Sequence, residues 1–229
     1  MSPEDKAENT PHASRLIPHY LRLLLAQNET LNLTAIRDPK EAYPRHIGDA
    51  LAVYGLFPFA GKSLIDVGSG GGLPGIPLRL RDPSIRLTLL DATAKKVAFL
   101  RTVCDTLKLH DVQCVAARAE KQAREPGFRD SFDAAVARGV AYLPALCELC
   151  LPFVRPGGHF LAMKGEDPTE EVSAAKDILP ALGGRLGDIL PYRLGDRRHT
   201  LVVMEKVRGT PEGYPRDWGR IRKQQKHAL

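Results

Sequence analysis

The densest chemistry in this chain lies in one ten-residue stretch, Asp66-Val67-Gly68-Ser69-Gly70-Gly71-Gly72-Leu73-Pro74-Gly75. Gly68 and Gly70 through Gly72 permit a tight turn and a close approach of backbone to a ligand. A plain strand-to-helix connection seldom needs so many glycines. The apolar run before it and the helical pattern after it are the setting in which such a loop holds a nucleotide-like molecule. Gly70 to Gly75 also fits the G-x-G-x-x-G spacing of dinucleotide binders, which decides little alone. Two neighbours argue against a pyrophosphate. Asp66 brings negative charge beside the turn, and Pro74 removes an N–H where a helix start would donate one to phosphate.

A ligand with no phosphate, a cationic amino-acid end and a ribose diol suits these residues better, and S-adenosylmethionine is such a ligand. Asp66 would serve its ammonium or sulfonium side, directly or through water. Asp91 ends the next apolar run, where a carboxylate accepts hydrogen bonds from ribose hydroxyls. Dinucleotide enzymes also place an acid there, so Asp66 discriminates and Asp91 does not. Ala119-Glu120 follows the third apolar run, where an acid or an N–H can meet an adenine amino group. Arg138 closes the fourth, at the rim where ligands bind in sheets of this kind. The plainer readings are a helix-start residue for Glu120 and a surface ion pair for Arg138. Cys147 and Cys150 have C-x-x-C spacing, but they lie in an apolar helical stretch with no second pair or His pair. They read as core, and no metal is expected.

The elements that must carry these residues alternate. Residues 12–30 repeat apolar positions at helical spacing. Asp38-Pro39-Lys40-Glu41 then opens a second helix, with Asp38 as cap and Pro39 in the first turn, running to about Tyr54. Strands are expected at Ser63–Val67, Leu87–Leu90, Val112–Ala116, Ala134–Ala137, His159–Met163, Leu186–Leu190 and Leu201–Glu205. Helices are expected near Lys95–Leu109, Leu143–Phe153 and 168–182, with a turn at Pro156-Gly157-Gly158. This order implies an α/β fold: a doubly wound, mostly parallel seven-stranded sheet of Rossmann-like type. The last two strands, with no helix between them, would form an antiparallel edge.

Length and charge add a frame. The 229 residues suit one core with an N-terminal helical extension at 1–60, a ligand-binding domain at 61–207 and a tail at 208–229. No apolar run approaches membrane length, and Met1–Glu8 is polar rather than a signal peptide, so a cytoplasmic protein is expected. From Lys206 onward seven Lys/Arg face two acids, which is +5 of the chain's +6. A basic, extended or mobile tail on a near-neutral body suits a polyanion, or simply solubility.

Motifs in order along the chain resemble one family. They are Asn32-Leu33-Thr34-Ala35-Ile36-Arg37-Asp38-Pro39, Arg45-His46-Ile47 with Asp49, the glycine loop with its Leu-Pro-Gly-Ile-Pro ending at Pro77, and Leu89-Leu90-Asp91-Ala92. Ala135-Val136-Ala137-Arg138, Met163-Lys164-Gly165 and Tyr214-Pro215-Arg216 follow. The chain is similar in these to the bacterial small-subunit ribosomal RNA guanine-N7 methyltransferases, the glucose-inhibited division protein B family. The likeness spans roughly residues 15–217 and departs at Gly48, Ala50 and Asp217–Arg220. It implies a class I methyltransferase that transfers a methyl group from S-adenosylmethionine to a guanine N7 of 16S ribosomal RNA or the small subunit. It carries cofactor contacts over to Gly68, Leu73, Asp91, Ala92, Thr93, Ala119, Glu120 and Arg138, beside Asp66 and Gly70 from the loop itself. Arg138 and Lys164 would position the guanine, and Arg45, His46, Arg216, Arg220, Arg222 and Lys223 would meet RNA. The chain lacks an Asn/Asp-Pro-Pro-Tyr/Phe motif and a Pro-Cys pair, which agrees with a target nitrogen that needs neither base nor nucleophile. The other readings are a methyltransferase of another RNA, a protein or a small molecule, or a cofactor-binding RNA-associated protein without catalysis.

Overall fold

The structure, a computed structural model, describes residues 11–226. An N-terminal helical layer holds α1 (Pro11–Leu31), α2 (Pro39–Ala42) and α3 (Asp49–Tyr54), the last two joined by a π-helical stretch, Tyr43–Gly48. Then come β1 (Ser63–Val67), α4 (Gly75–Arg81), β2 (Arg86–Asp91), α5 (Ala94–Leu107) and β3 (Val112–Ala116). The rest of the chain forms α6 (Ala119–Gln122), β4 (Phe132–Arg138), α7 (Leu143–Cys150), β5 (Val154–Lys164), α8 (Thr169–Ala175), β6 (Gly184–Leu194), β7 (Arg197–Lys206) and α9 (Trp218–Lys226). The strand order is β3-β2-β1-β4-β5-β7-β6. β1–β2, β2–β3 and β4–β5 are parallel and β5–β7 is antiparallel, so the expected mixed sheet with an antiparallel edge is present.

Two compact units share the chain. The first runs to Ala116 and includes Arg193–Asp196. Leu64, Ile65 and Val67 of β1 and Leu87, Leu89 and Leu90 of β2 are buried without alternation, as parallel strands covered on both faces require. In α1 the buried set is Ala13, Leu16, Ile17, Tyr20, Leu21 and Leu24, one helical stripe, and it packs on α4 and α5. Asp38 caps α2 as its sequence predicts, its Oδ1 accepting from the Lys40 N–H at 2.8 Å. Just beyond, Pro44 lacks an N–H for the helical ladder, and there the chain widens into π turns that bury His46 and Ile47.

The second unit starts at Ala117 and excludes Arg193–Asp196. Its sheet departs from expectation at Pro156-Gly157-Gly158, which lies inside β5 rather than forming a separate turn. The register with β4 steps from Phe132↔Val154 to Ala134↔His159, so the extra residues bulge out of the ladder. A Cβ on Gly158 would come 2.6 Å from the Asp133 carbonyl, which is why glycine stands there. The helix expected over 168–182 ends at Ala175. A 3-10 turn at Pro180–Leu182 follows, where Pro180 cannot extend an α ladder.

The tail, expected to be extended or mobile, runs without helix or strand over 207–217 and then forms α9, held by a set of long-range polar anchors. Lys206, fully buried, donates to Asp130, to the Leu151 carbonyl and to Thr210. Arg129 donates to the carbonyls of Thr210, Pro211 and Tyr214, and Arg124 to that of Pro215. Arg216 is paired with Glu148 of α7, and Ile221 of α9 is buried.

Candidate functional site

The glycine loop consumes most of its own N–H groups. The Leu90 carbonyl accepts from the Gly68 and Ser69 N–H at 2.8 and 3.0 Å. The Ser69 carbonyl accepts from Gly72 and Leu73 at 2.7 and 3.1 Å. Asp91 Oδ2 accepts from Gly70 at 3.0 Å, and Asp66 Oδ2 from Gly75 at 2.8 Å. Gly70 and Gly72 turn at φ +55° and +96°, a region closed to most side chains. A loop whose N–H groups point inward in this way cannot cradle a pyrophosphate as dinucleotide loops do. What remains for a ligand is acceptor chemistry, which suits a ligand that presents an ammonium group and hydroxyls. On that ground the residues fit S-adenosylmethionine.

Asp91 is the carboxylate best placed for this. It ends β2 and is largely buried. It holds the loop with one oxygen and the Thr93 N–H with the other, at 2.8 Å. Each carboxylate oxygen has two lone pairs, so acceptor capacity is left for a diol. Ala92 and Thr93 beside it are exposed, and Leu73 is buried under the loop. Asp66 differs from expectation. Its side chain is fully enclosed and lies behind the loop, against Gly75. In this geometry Asp66 acts on a ligand only through the loop it shapes. Asp66 is thus not exposed to touch a cation, and the inward direction of the N–H groups is what separates this loop from a pyrophosphate site.

Sequence reasoning missed how the N-terminal layer supports this loop. The Tyr20 hydroxyl, fully buried, donates to the Gly71 carbonyl at 2.9 Å. A Cβ on Gly71 would lie 2.5 Å from Leu24 Cδ1, so α1 lies directly on the loop. Asn28 both donates to the Thr34 carbonyl and accepts its N–H, at 2.9 and 2.8 Å, and the Thr34 hydroxyl bonds His46 Nε2 at 2.8 Å. His46 is thus a buried structural partner rather than an exposed RNA contact. Arg45, half exposed, pairs with Glu41 one turn back at 3.0 Å. The signal for this support was the polar Asn28 and Tyr20 on the inward stripe of a helix.

In the second unit, Ala119 and Glu120 open α6, with Glu120 buried. Arg138 ends β4 beside Met163 of β5, and Lys164 follows. Lys164 is engaged within the protein: its ammonium lies 2.5 Å from Glu171 Oε2 and donates to the Ala141 carbonyl at 3.2 Å. Arg216, expected among RNA contacts, is committed to Glu148. Its N–H and Nε donate to one oxygen at 2.7 and 2.8 Å, and a terminal nitrogen donates to the other at 2.5 Å. The buried Glu148 needs that cation, and the pairing lifts the Arg216 guanidinium above its ordinary range. Arg220, Arg222 and Lys223 of α9 are exposed. Cys147 and Cys150 are buried thiols. Among the described residues no group of three His, Cys, Asp or Glu could hold a metal, and no helix is long and apolar enough to cross a membrane.

The chain matches a family model described as GidB, rRNA small subunit methyltransferase G, over residues 13–192. It is 42% identical over 207 residues to the ribosomal RNA small subunit methyltransferase G of Clostridium botulinum, covering 89% of this chain and 87% of that one. The protein of the same description from Brevibacillus brevis is 40% identical, with 88% and 86% covered. Among solved structures, a SAM-dependent methyltransferase from Aquifex aeolicus aligns with a TM-score of 0.53 at 18% identity, covering 73% of this chain and 93% of that one. Aeropyrum pernix fibrillarin with bound S-adenosyl-L-methionine aligns at 0.54 and 17%, covering 69% and 73%. At those identities the structures speak for the fold.

Proposed function

This chain belongs to the ribosomal RNA small subunit methyltransferase G family, and from that premise we propose that it methylates N7 of a guanine in small-subunit ribosomal RNA, using S-adenosylmethionine. The observation that carries the cofactor half is the glycine loop, with its N–H groups turned inward and Asp91 at its edge. When bound, S-adenosylmethionine supplies a methyl group on a sulfonium, open to attack by a nitrogen lone pair. Asp91 takes the ribose hydroxyls, Leu73 and the Gly68–Gly70 turn shape the amino-acid end, and Asp66 ties the far end of the loop at Gly75 from behind. The family likeness assigns Ala119 and Glu120 to the adenine and Arg138 to the rim where the guanine is held.

Guanine N7 is a neutral lone pair with no proton to remove, so the chain needs no general base. Its contribution is placement, and alignment of two bound reactants is worth about 7–11 kcal/mol at best. In an A-form helix N7 faces a deep, narrow groove that side chains cannot enter. The guanine must therefore be unpaired or exposed in a partly assembled particle.

The test uses small ribosomal subunits from cells lacking this gene, the purified chain and S-adenosylmethionine with a labelled methyl group. Nucleoside mass spectrometry should find 7-methylguanosine. A methyladenosine or a methylcytidine as the product would overturn the reading.

A further inference from the structure

β4 and β5 end side by side, and the four residues after β4, Gly139 to Tyr142, form the turn into α7. Lys164 reaches back across this turn to the Ala141 carbonyl, while Glu171, on α8, accepts from the Leu143 N–H at 2.7 Å with the same Oε2 that meets Lys164. The side chains of Lys164 and Glu171 are 11% and 24% exposed, so the pair lies largely behind the turn. The other side of the turn is open. Gly139 has φ +65° and a Cβ built there would meet nothing within 4 Å, Val140 is an exposed apolar side chain, and Tyr142 is half-buried as the N-cap of α7. Ligands of such sheets bind outside the carboxyl ends of the strands. A short turn at that edge, braced from behind and apolar in front, suits a planar base better than a phosphate.

We propose that Lys164 and Glu171 are a positioning pair. They hold the Gly139–Tyr142 turn as the seat of the target guanine, and neither meets the base. This rests on the functional reading above and reassigns Lys164 from a guanine contact to a brace. The Lys164 ammonium already has two acceptors and little exposure. Glu171 ties the first N–H of α7 to the same point. Loss of either partner leaves the other charge poorly compensated and lets the turn drift.

The test is a double-mutant cycle on the full chain, with small subunits from cells lacking the gene as substrate and calorimetry for S-adenosylmethionine. Lys164→Met and Glu171→Gln should each lower kcat/KM for the subunits by about tenfold to a hundredfold, the scale of a misplacement near 1 Å. Cofactor affinity should stay within about twofold of the parent, since neither partner is assigned to the cofactor. The double variant should be no worse than the poorer single one, because both act through one turn. Lys164→Arg should recover most of the rate. Val140→Asp, at an exposed site that does not threaten folding, should raise KM for the subunits with cofactor affinity unchanged. A fully active Glu171→Gln beside a crippled Lys164→Met would show that Lys164 contacts the base itself. A parallel fall in Tm and cofactor affinity would show a merely structural pair, and parental KM in Val140→Asp would remove the seat. A parent that methylates nothing overturns the functional reading and this one with it, whereas an active parent with fully active variants overturns the pair alone.

Discussion

Asp91 uses both of its oxygens at once, one on the Gly70 N–H and one on the Thr93 N–H, and each oxygen keeps a further lone pair. Asp91→Ala should therefore weaken S-adenosylmethionine by about 1–3 kcal/mol, the cost of leaving polar partners unsatisfied. Calorimetric affinity equal to the parent's would remove Asp91 from the site. Gly75 is a second sensitive position. A Cβ there would stand 2.8 Å from Asp66 Oδ2 and 2.9 Å from Leu89 Cδ2, two enclosed neighbours with no room to move. Gly75→Ala should cost about 1–3 kcal/mol of stability, as overpacking does, and lower cofactor affinity with it. Urea denaturation and calorimetry together would check this, and an unchanged midpoint would contradict it. The sequence showed both acids and the glycines because residue type and strand-end position suffice for that. It could not show that Asp66 faces inward, because its enclosure depends on the start of α4 and on β2 coming to lie beside it.

At the scale of elements, strands were the legible part. β1 and β3 fall where their apolar runs predict, and β2, β4, β6 and β7 extend the expected cores by a few residues. For β1, β2 and β4 the cause is local, since buried parallel strands demand continuous apolar runs. The Pro156-Gly157-Gly158 bulge and the C-terminal segment were not legible, because their conformation is set by partners far away in sequence. Glu148 was the available clue: a carboxylate inside an otherwise apolar helix must find a cation, though pattern does not say which. Lys206 is the same case in reverse. Its ammonium has three acceptors at 2.6 Å, and Lys206→Met would leave Asp130 without its cation, costing about 3 kcal/mol. Burial pushes the Lys206 pKa below its ordinary 10.5, although Asp130 pulls the other way. The unfolded chain then binds this proton more tightly than the folded one. Stability contributed by the group therefore rises with pH toward 10.5 and is lost as pH falls through the lower, folded value. The parent should show this alkaline slope in urea denaturation and Lys206→Met should lack it. Equal slopes would mean that Lys206 titrates alike in both states.

For the whole molecule, the charge count in the sequence overstated what RNA can use. The stretch from Lys206 onward carries +5 of the +6. Lys206 and Arg216 are nevertheless bound to Asp130 and Glu148 inside the protein. α9 buries Ile221 and packs on α7, while Arg220, Arg222 and Lys223 are exposed on the same short helix. A cluster of three cations on an anchored helix loses less entropy on meeting phosphates than the same charges on a mobile tail. Each phosphate contact to single-stranded RNA contributes about 0.7 to the slope of log affinity against log salt. Changing all three residues to Gln should therefore flatten that slope by up to about two units, weaken RNA binding uniformly across sequences, and leave Tm and cofactor affinity unaltered. Deleting residues 209–229 is a poorer experiment. It strips Arg216 from the buried Glu148 and Thr210 from Lys206, so lost binding would mix with lost folding. If the three-residue variant keeps the parent's slope and affinity, the basic helix serves solubility, and the RNA must be held by cations elsewhere in the chain.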